Sequence, residues 1–388
     1  MGTLLGKNYI IIWVVNFAMV ICAFPSMTIL PLYISGEVTA NTTLLGVIIG
    51  VFASCALLAR FVAGWALDNY RILTIYKVSV LVFGLFWFVY PFPQSPWVFF
   101  VLRALHGFAF GFTTIAGSAA VVRIIPLARR GEGLGYFGIS LSVGMALGPF
   151  IALALIDAFS FHVYFVFLGC WVMAALGLLC LVRIPYVPPK EVKPFSLKAV
   201  FLRKGLMIMI VVFLVNTVYA GIATFAAMYA FDLNLHEKLP ALFFLVMACS
   251  MLATRLFAGR VFDRRGPFGI TLVGMGFLGL GALVMALAQN TAMYLLGGVG
   301  VGLGVGILFP VFQTMMNNLV HHEQQGVANA TYYVGLDLGW LAGSALAGAV
   351  VGISSIAGSY MFNFGLCILS LILFLAVILK QYNRDKVV

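Results

Sequence analysis

Asp337 stands in the run Tyr332-Tyr333-Val334-Gly335-Leu336-Asp337-Leu338-Gly339-Trp340, in a chain of which only 9% is charged. Holding an ionised acid in hydrocarbon costs several kcal/mol, so a carboxyl at such a place is read as functional. The chemistry open to it is binding and releasing a proton, because desolvation moves a carboxyl from about 3.9 toward the range of a proton carrier, and a nearby cation moves it back. Arg103, in Val101-Leu102-Arg103-Ala104-Leu105-His106-Gly107, is the matching cation. Its guanidinium stays protonated at any accessible pH. It either braces neighbouring helices through backbone carbonyls, or supplies the fixed charge that tunes a titrating acid or holds an anionic group of a substrate. His106, one turn on, is most simply a satisfied buried histidine. Glu132, in Arg129-Arg130-Gly131-Glu132, is a third candidate for proton coupling. The helix dipole favours an acid in a first turn, and Glu132 can pair with Arg129 or Arg130.

The elements that must position these groups follow from composition. With 63% hydrophobic residues and mean hydropathy +1.12, the chain reads as a polytopic helical membrane protein. At about 20 apolar residues per crossing, twelve spans are expected near 8–34, 43–66, 72–91, 96–121, 131–156, 161–183, 205–230, 239–262, 268–288, 292–316, 326–350 and 355–380. The first is too long for a cleavable signal and is followed by eleven more, so no removal is expected. Of the 22 Lys and Arg, all but Lys238 and Arg103 fall on one side or at its edge. That side is read as cytoplasmic, with both termini inside. The net charge of +11 is therefore a topology signal and a contact with anionic lipid. Basic residues spread over short loops do not form a nucleic-acid face. The six cysteines all lie in apolar spans without a CxxC pair, and no further ligand accompanies His321 and His322, so no metal or cofactor is expected.

Sliding the sequence by 195 positions carries Arg60-x3-Gly64-x3-Asp68 onto Arg255-x3-Gly259-x3-Asp263. It also carries Gly107, Gly111, Gly131, Gly144 and Gly148 onto Gly302, Gly306, Gly326, Gly339 and Gly343. One register over four helices means two related six-helix halves. The expected fold is all-α, twelve transmembrane helices as two pseudo-symmetric six-helix bundles around a central cavity. Its parts are residues 1–184, a proline-rich cytoplasmic linker with a surface helix at 185–204, and residues 205–388. Asp337 has Ser142 as its repeat counterpart, so the acid belongs to the second half alone.

The Arg-x3-Gly-x3-Asp elements, Arg103-Ala-Leu-His-Gly107 and Gly144-x3-Gly148-Pro149 together resemble the major facilitator superfamily. The Gly-Pro element is similar to the one that marks its proton-coupled antiporter branch of drug and metabolite exporters. The resemblance implies that Arg60, Gly64, Asp68, Arg71, Arg255, Gly259, Asp263 and Arg264 gate the conformational change, together with Gly144, Gly148 and Pro149. Three departures stand out. The first loop reads Asp68-Asn69-Tyr70-Arg71, whereas the second keeps Asp263-Arg264-Arg265-Gly266. Arg123 stands where the family often has Asp, so the loop's charge relay is expected to be rewired. Ala152-Leu153 replaces the family's Gly-Gly.

The helices that line the cavity in that family carry Asn16, Phe17, Thr28, Tyr136, Asn216, Tyr219, Gln313, Asn317 and Tyr333 here, and Pro25, Pro31 and Pro310 would let two of them bend. Aromatics with a few amides suit an amphipathic small molecule. The leading reading is proton-coupled efflux of a small organic compound by alternating access, from a monomer whose partners are substrate, protons and lipid. Proton symport of a sugar or organic acid, or export of a metal-chelating metabolite, are the alternatives. An intramembrane enzyme finds no nucleophile or acid–base cluster. A sensor would need a signalling domain for which the short termini leave no room.

Overall fold

The structure is a computed structural model that describes residues 5–38, 42–92, 95–185, 194, 201–236 and 239–387. Side chains at 24–28, 31–32, 35, 42–43, 45–46, 142, 145–150, 153–154, 157, 241 and 322 lie outside the described set, and with them Thr28, Gly148 and Pro149. So does the expected surface helix of the linker.

Among the described residues the chain is helical, without a strand. The first six long helices are α1 (Lys7–Glu37), α2 (Thr42–Asn69), α3 (Ile72–Val89), α4 (Pro96–Ile124), α5 (Arg130–Ala158) and α6 (Phe161–Cys180). The next six are α7 (Leu206–Asp232), α8 (Leu239–Arg265), α9 (Pro267–Ala286), α10 (Thr291–Asn318), α11 (Gln325–Ile353) and α12 (Ile356–Leu373). A π turn and the short α13 (Leu379–Asp385) close the chain. The twelve helices fall on the twelve apolar spans. They run past the apolar stretch at the basic ends, α2 to Asn69 and α8 to Arg265, so Asp68 and Asp263 sit in last helical turns rather than in loops. α10 continues through Pro310 without a break.

Two compact units are present. One comprises Met1–Pro126, Ser140–Phe201 and His322–Ala330, the other Leu127–Ile139, Leu202–His321 and Thr331–Val388. Within the first, α2 packs along α4, α3 against α4 and α6, and α1 against α6. Within the second, α8 packs along α10, α9 against α10 and α12, and α7 against α12. These are the same pairs under the 195-residue shift. Glycine makes the closest of them: a Cβ on Gly107 would come within 2.1 Å of the Phe52 carbonyl oxygen, and one on Gly302 within 2.3 Å of the Met247 carbonyl oxygen. Small residues let helices approach where lipid offers no hydrophobic drive to pair them.

Three helices that start on the side poor in Lys and Arg are capped locally. Ser160 Oγ accepts from Val163 N at 3.3 Å, Asn290 Oδ1 from Met293 N at 3.0 Å, and Ser355 Oγ from Gly358 N at 3.0 Å. Such caps satisfy first-turn donors that have no partner inside the helix. At the opposite side α5 and α11 are capped from a distance.

Candidate functional site

The first turn of α11 is capped by Asp68, at the end of α2. Its carboxylate accepts from Gly326 N at 2.7 Å and Val327 N at 3.1 Å. The first turn of α5 is capped by Asp263, at the end of α8, which accepts from Gly131 N at 2.9 Å and Glu132 N at 2.8 Å. The first pair lies wholly in the first unit and the second wholly in the second. A negative charge over unsatisfied first-turn amides is favoured by hydrogen bonding and by the helix dipole together. The shift of 195 maps carboxylate onto carboxylate and both donors onto both donors. Contact between backbones explains the paired glycines. A Cβ on Gly326 would lie 2.5 Å from the Gly64 carbonyl oxygen, and one on Gly259 would lie 2.0 Å from the Gly131 carbonyl oxygen.

Four expected gating residues, Gly64, Asp68, Gly259 and Asp263, therefore do come together with a helix each. The others have separate surroundings. Arg60 donates to Thr114 Oγ1 at 3.2 Å, and buried Arg255 donates to the Gly138 carbonyl. Arg71 and Arg264 are exposed. Gly144 meets Val20 and Ile21 of α1, so its close approach is made inside the first half rather than along a seam between halves. Replacing Asp68 or Asp263 by Ala is expected to weaken each cap by about 1 kcal/mol. Amide hydrogen exchange at Gly326 and Val327, or at Gly131 and Glu132, should then speed up by roughly fivefold or more; unchanged protection would mean the carboxylates do not hold these turns.

Glu132 lies at the centre of a charge network in the second unit. Arg129 Nε is 2.7 Å from one carboxylate oxygen and Arg260 Nε 2.6 Å from the other, with only 6% of the glutamate side chain exposed. Tyr136 Oη donates to the Arg260-bound oxygen at 3.1 Å and in turn accepts from Arg260. The hydrogen bond to Glu132 pushes the Arg129 guanidinium above its ordinary range. Arg130 is not a partner of Glu132. It donates to Asn317 O at 3.0 Å and to Asn318 Oδ1 at 2.9 Å, where it satisfies carbonyls at the end of α10. Tyr136, expected in the cavity, belongs to this network instead, because a phenol one turn along the helix from Glu132 is within reach of its carboxylate. Arg260 was not singled out from sequence. Its repeat counterpart is Trp65, and that loss of symmetry is the signal that could have found it.

Arg103 is fully buried in the first unit, its guanidinium carbon 4.2 Å above the Phe52 ring. None of its three side-chain nitrogens has a hydrogen-bond partner among the described residues. His106 is buried beside it and shares a 2.5 Å hydrogen bond with Tyr90 through Nδ1. Phe83 and Trp87 stand 4.3 and 4.9 Å from the imidazole, centroid to centroid. Phe52 of α2 thus faces the cation while the α3 rings pack on the imidazole beside it, and among the described residues no backbone carbonyl accepts from Arg103. A desolvated cation–π contact gives about 2 kcal/mol, less than the several kcal/mol that burying an ion costs.

Asp337 is half-buried in α11, in the second unit. Gly335, Gly339 and Gly343 face α7, and Leu336 O accepts from Asn216 Nδ2 at 2.5 Å. At 3.6 residues per turn, Asp337 points roughly 200° away from the Gly335 direction and shares its face with half-buried Tyr333. Of the Asp and Glu among the described residues, Asp337 alone occupies a helix interior, and the others stand in first or last turns or between the long helices. Among the expected cavity residues, Asn16 donates to Ser140 Oγ at 2.6 Å and Asn317 to Gln313 O at 2.9 Å. Phe17 stacks on Trp13, and Tyr219 meets Trp340 edge-on at 5.6 Å. Asn16 and Asn216 thus use an amide N–H to join helices.

The profile described as Major Facilitator Superfamily matches residues 12–302 and 272–387. An uncharacterized MFS-type transporter of Methanocaldococcus jannaschii is 23% identical over 92% of this chain and 95% of its own. The multidrug resistance protein MdtG of Rahnella sp. is 25% identical over 80% of this chain and 78% of its own. Among solved structures, the human organic anion transporter MFSD10 superposes with TM-score 0.81 at 14% identity, covering 95% of this chain and 98% of that one. The proton:xylose symporter XylE superposes with TM-score 0.76 at 12% identity, covering 95% and 96%.

Proposed function

The chain belongs to the Major Facilitator Superfamily, a multi-pass membrane transporter, and on that premise we propose that it exports a small organic compound across the cytoplasmic membrane in exchange for protons. The observation that carries the reading is the placement of Asp337, the one acid inside a helix among the described residues, on a face of α11 turned away from its α7 seam. A carboxyl there gains a proton when wetted from the acidic side and loses it when wetted from the other. Arg103, buried against Phe52 with no hydrogen-bond partner among the described residues, offers a fixed charge to a mobile anionic group or to a titrating acid. The Asp68 and Asp263 caps close two helix ends on the Lys/Arg-rich side, read as cytoplasmic. In alternating access these caps form when that side is shut and part when it opens. Relatives named for multidrug resistance favour export. Symport is the second reading, favoured by the fold shared with a proton:xylose symporter.

Direction is tested in proteoliposomes with an imposed pH gradient and an internal pH dye. Substrate added to the side it leaves from should drive protons the opposite way. Proton and substrate fluxes of the same sign would replace export by symport.

A further inference from the structure

The end of α10 is held from two directions. Arg130, at the start of α5, donates to Asn317 O and Asn318 Oδ1. The C-terminal segment of the chain supplies the rest: Asn318 Nδ2 donates to Tyr382 Oη at 3.2 Å, and Val387 N to Asn318 O at 2.8 Å. All of these residues belong to the second unit. The orientation of the Asn318 amide is set by its partners. A guanidinium only donates, so the amide oxygen faces Arg130 and the NH2 is left for a phenol that accepts. Tyr382 is the buried residue of α13, with Arg130 and Asp263 both within electrostatic reach of it. Phe374 and Ile378, buried on the π turn that leads into α13, fix the direction from which the segment returns, and the Phe374 ring lies 6.2 Å from that of Phe312 in α10. Under the 195-residue shift Tyr382 falls on Val187, so the phenol is an addition of the second half and not a product of the repeat.

We propose that the C-terminal segment is a strap that holds the start of α5 against the ends of α8 and α10, and that its release is a step in opening the Lys/Arg-rich side. The connection is continuous. Tyr382 and Val387 anchor Asn318, Asn317 and Asn318 hold Arg130, and Arg130 is followed directly by Gly131 and Glu132, the two amides that Asp263 caps. α5 runs on from Ser140 in the first unit. On the alternating-access reading above, on which the strap rests, its first turn leaves the ends of α8 and α10 whenever that side opens. Each hydrogen bond that orders the partners of this turn then adds to what opening must overcome.

The test is amide hydrogen exchange of the full-length protein in nanodiscs, read on peptides from the start of α5 and from α13. Tyr382→Phe keeps the ring and removes the oxygen that Asn318 reaches. Val387→Pro removes one donor, and Lys386 before it is already extended, φ −62° and ψ 137°, as a residue preceding proline must be. Each variant should speed exchange at Gly131 and Glu132 roughly fivefold, the effect of one hydrogen bond. Asn318→Ala should speed it too, and adding Tyr382→Phe to that variant should change nothing more at α5. Arg384→Gln, which breaks the exposed pair with Asp385, is the control and should leave the start of α5 as it was. Faster exchange in α13 alone, with Gly131 and Glu132 unchanged, overturns the proposal and makes the segment a passive cover. An equal rise in Arg384→Gln overturns it as well, because the effect would then come from charge on the tail. No substrate or pH gradient enters the measurement, so its failure is distinct from that of export: unchanged exchange at α5 removes the strap and leaves export standing, whereas proton and substrate fluxes of the same sign reverse the transport reading and leave the strap.

Discussion

Asp337→Asn is expected to remove gradient-driven transport, with accumulation against a substrate gradient falling roughly 100-fold or more, about 2.7 kcal/mol. Downhill exchange of substrate should survive. Asparagine is nearly isosteric with a protonated aspartate, so helix packing around Leu336 and Asn216 stays as it is. What is lost is the capacity to exchange a proton. The measurement is paired: uptake with and without a pH gradient, and counterflow with no gradient, in the same proteoliposomes. If the variant accumulates substrate as well as the wild type, Asp337 is a structural acid and the coupling lies elsewhere. If it fails in counterflow too, the substitution has damaged substrate binding rather than coupling.

Arg103→Met is expected to separate activity from stability in opposite directions. Active transport should be lost, while the thermal midpoint of the purified protein should rise by about 2 °C or more. The reason is the burial of Arg103 against Phe52. A buried guanidinium with no hydrogen-bond acceptor among the described residues keeps most of its desolvation penalty, and an apolar chain of similar length packs against Phe52 without it. Arg103→Lys keeps the charge but not the planar stacking surface, and should fall between the two in activity. A brace would behave otherwise: Arg103→Met would then lower the midpoint, and Arg103→Lys would lower it less. A fall in the midpoint with Met would therefore assign Arg103 to scaffolding.

The charge network at Glu132 bears on the same cycle. Its two guanidinium partners, Arg129 and Arg260, tie the start of α5 to the end of α8 beside the Asp263 cap. At the Asp68 cap the positions corresponding to Glu132, Arg129 and Arg260 are Val327, Gln324 and Trp65, so only one of the two caps carries this reinforcement. On the proposed alternating-access reading, opening and closing at the two caps need not cost the same. A proton carrier is ill served by two ion-pair partners, which makes Glu132 the weaker of the sequence's acid candidates.

The amino-acid sequence by itself determined the class, the number of helices and the two-fold repeat. Each of these rests on a local or periodic property: twenty-residue apolar runs and glycines recurring at a fixed offset. It also marked Asp337 and Arg103, because an ion in an apolar run is conspicuous without any fold. Only the tertiary structure decided the pairings between residues far apart in the chain. Asp68 and Gly326 are separated by 258 positions and Asp263 and Gly131 by 132, and the repeat is equally compatible with each aspartate meeting the helix of its own half. Which backbone amide a carboxylate reaches depends on how helix ends are brought together, and the 195-residue register leaves that open. The same holds for Arg130, drawn to the end of α10 rather than to Glu132 two residues away, for Tyr136, taken into the ion pair, and for Tyr382, brought back to the same end of α10. Local periodicity says which face of a helix is polar. Packing alone says what that face meets.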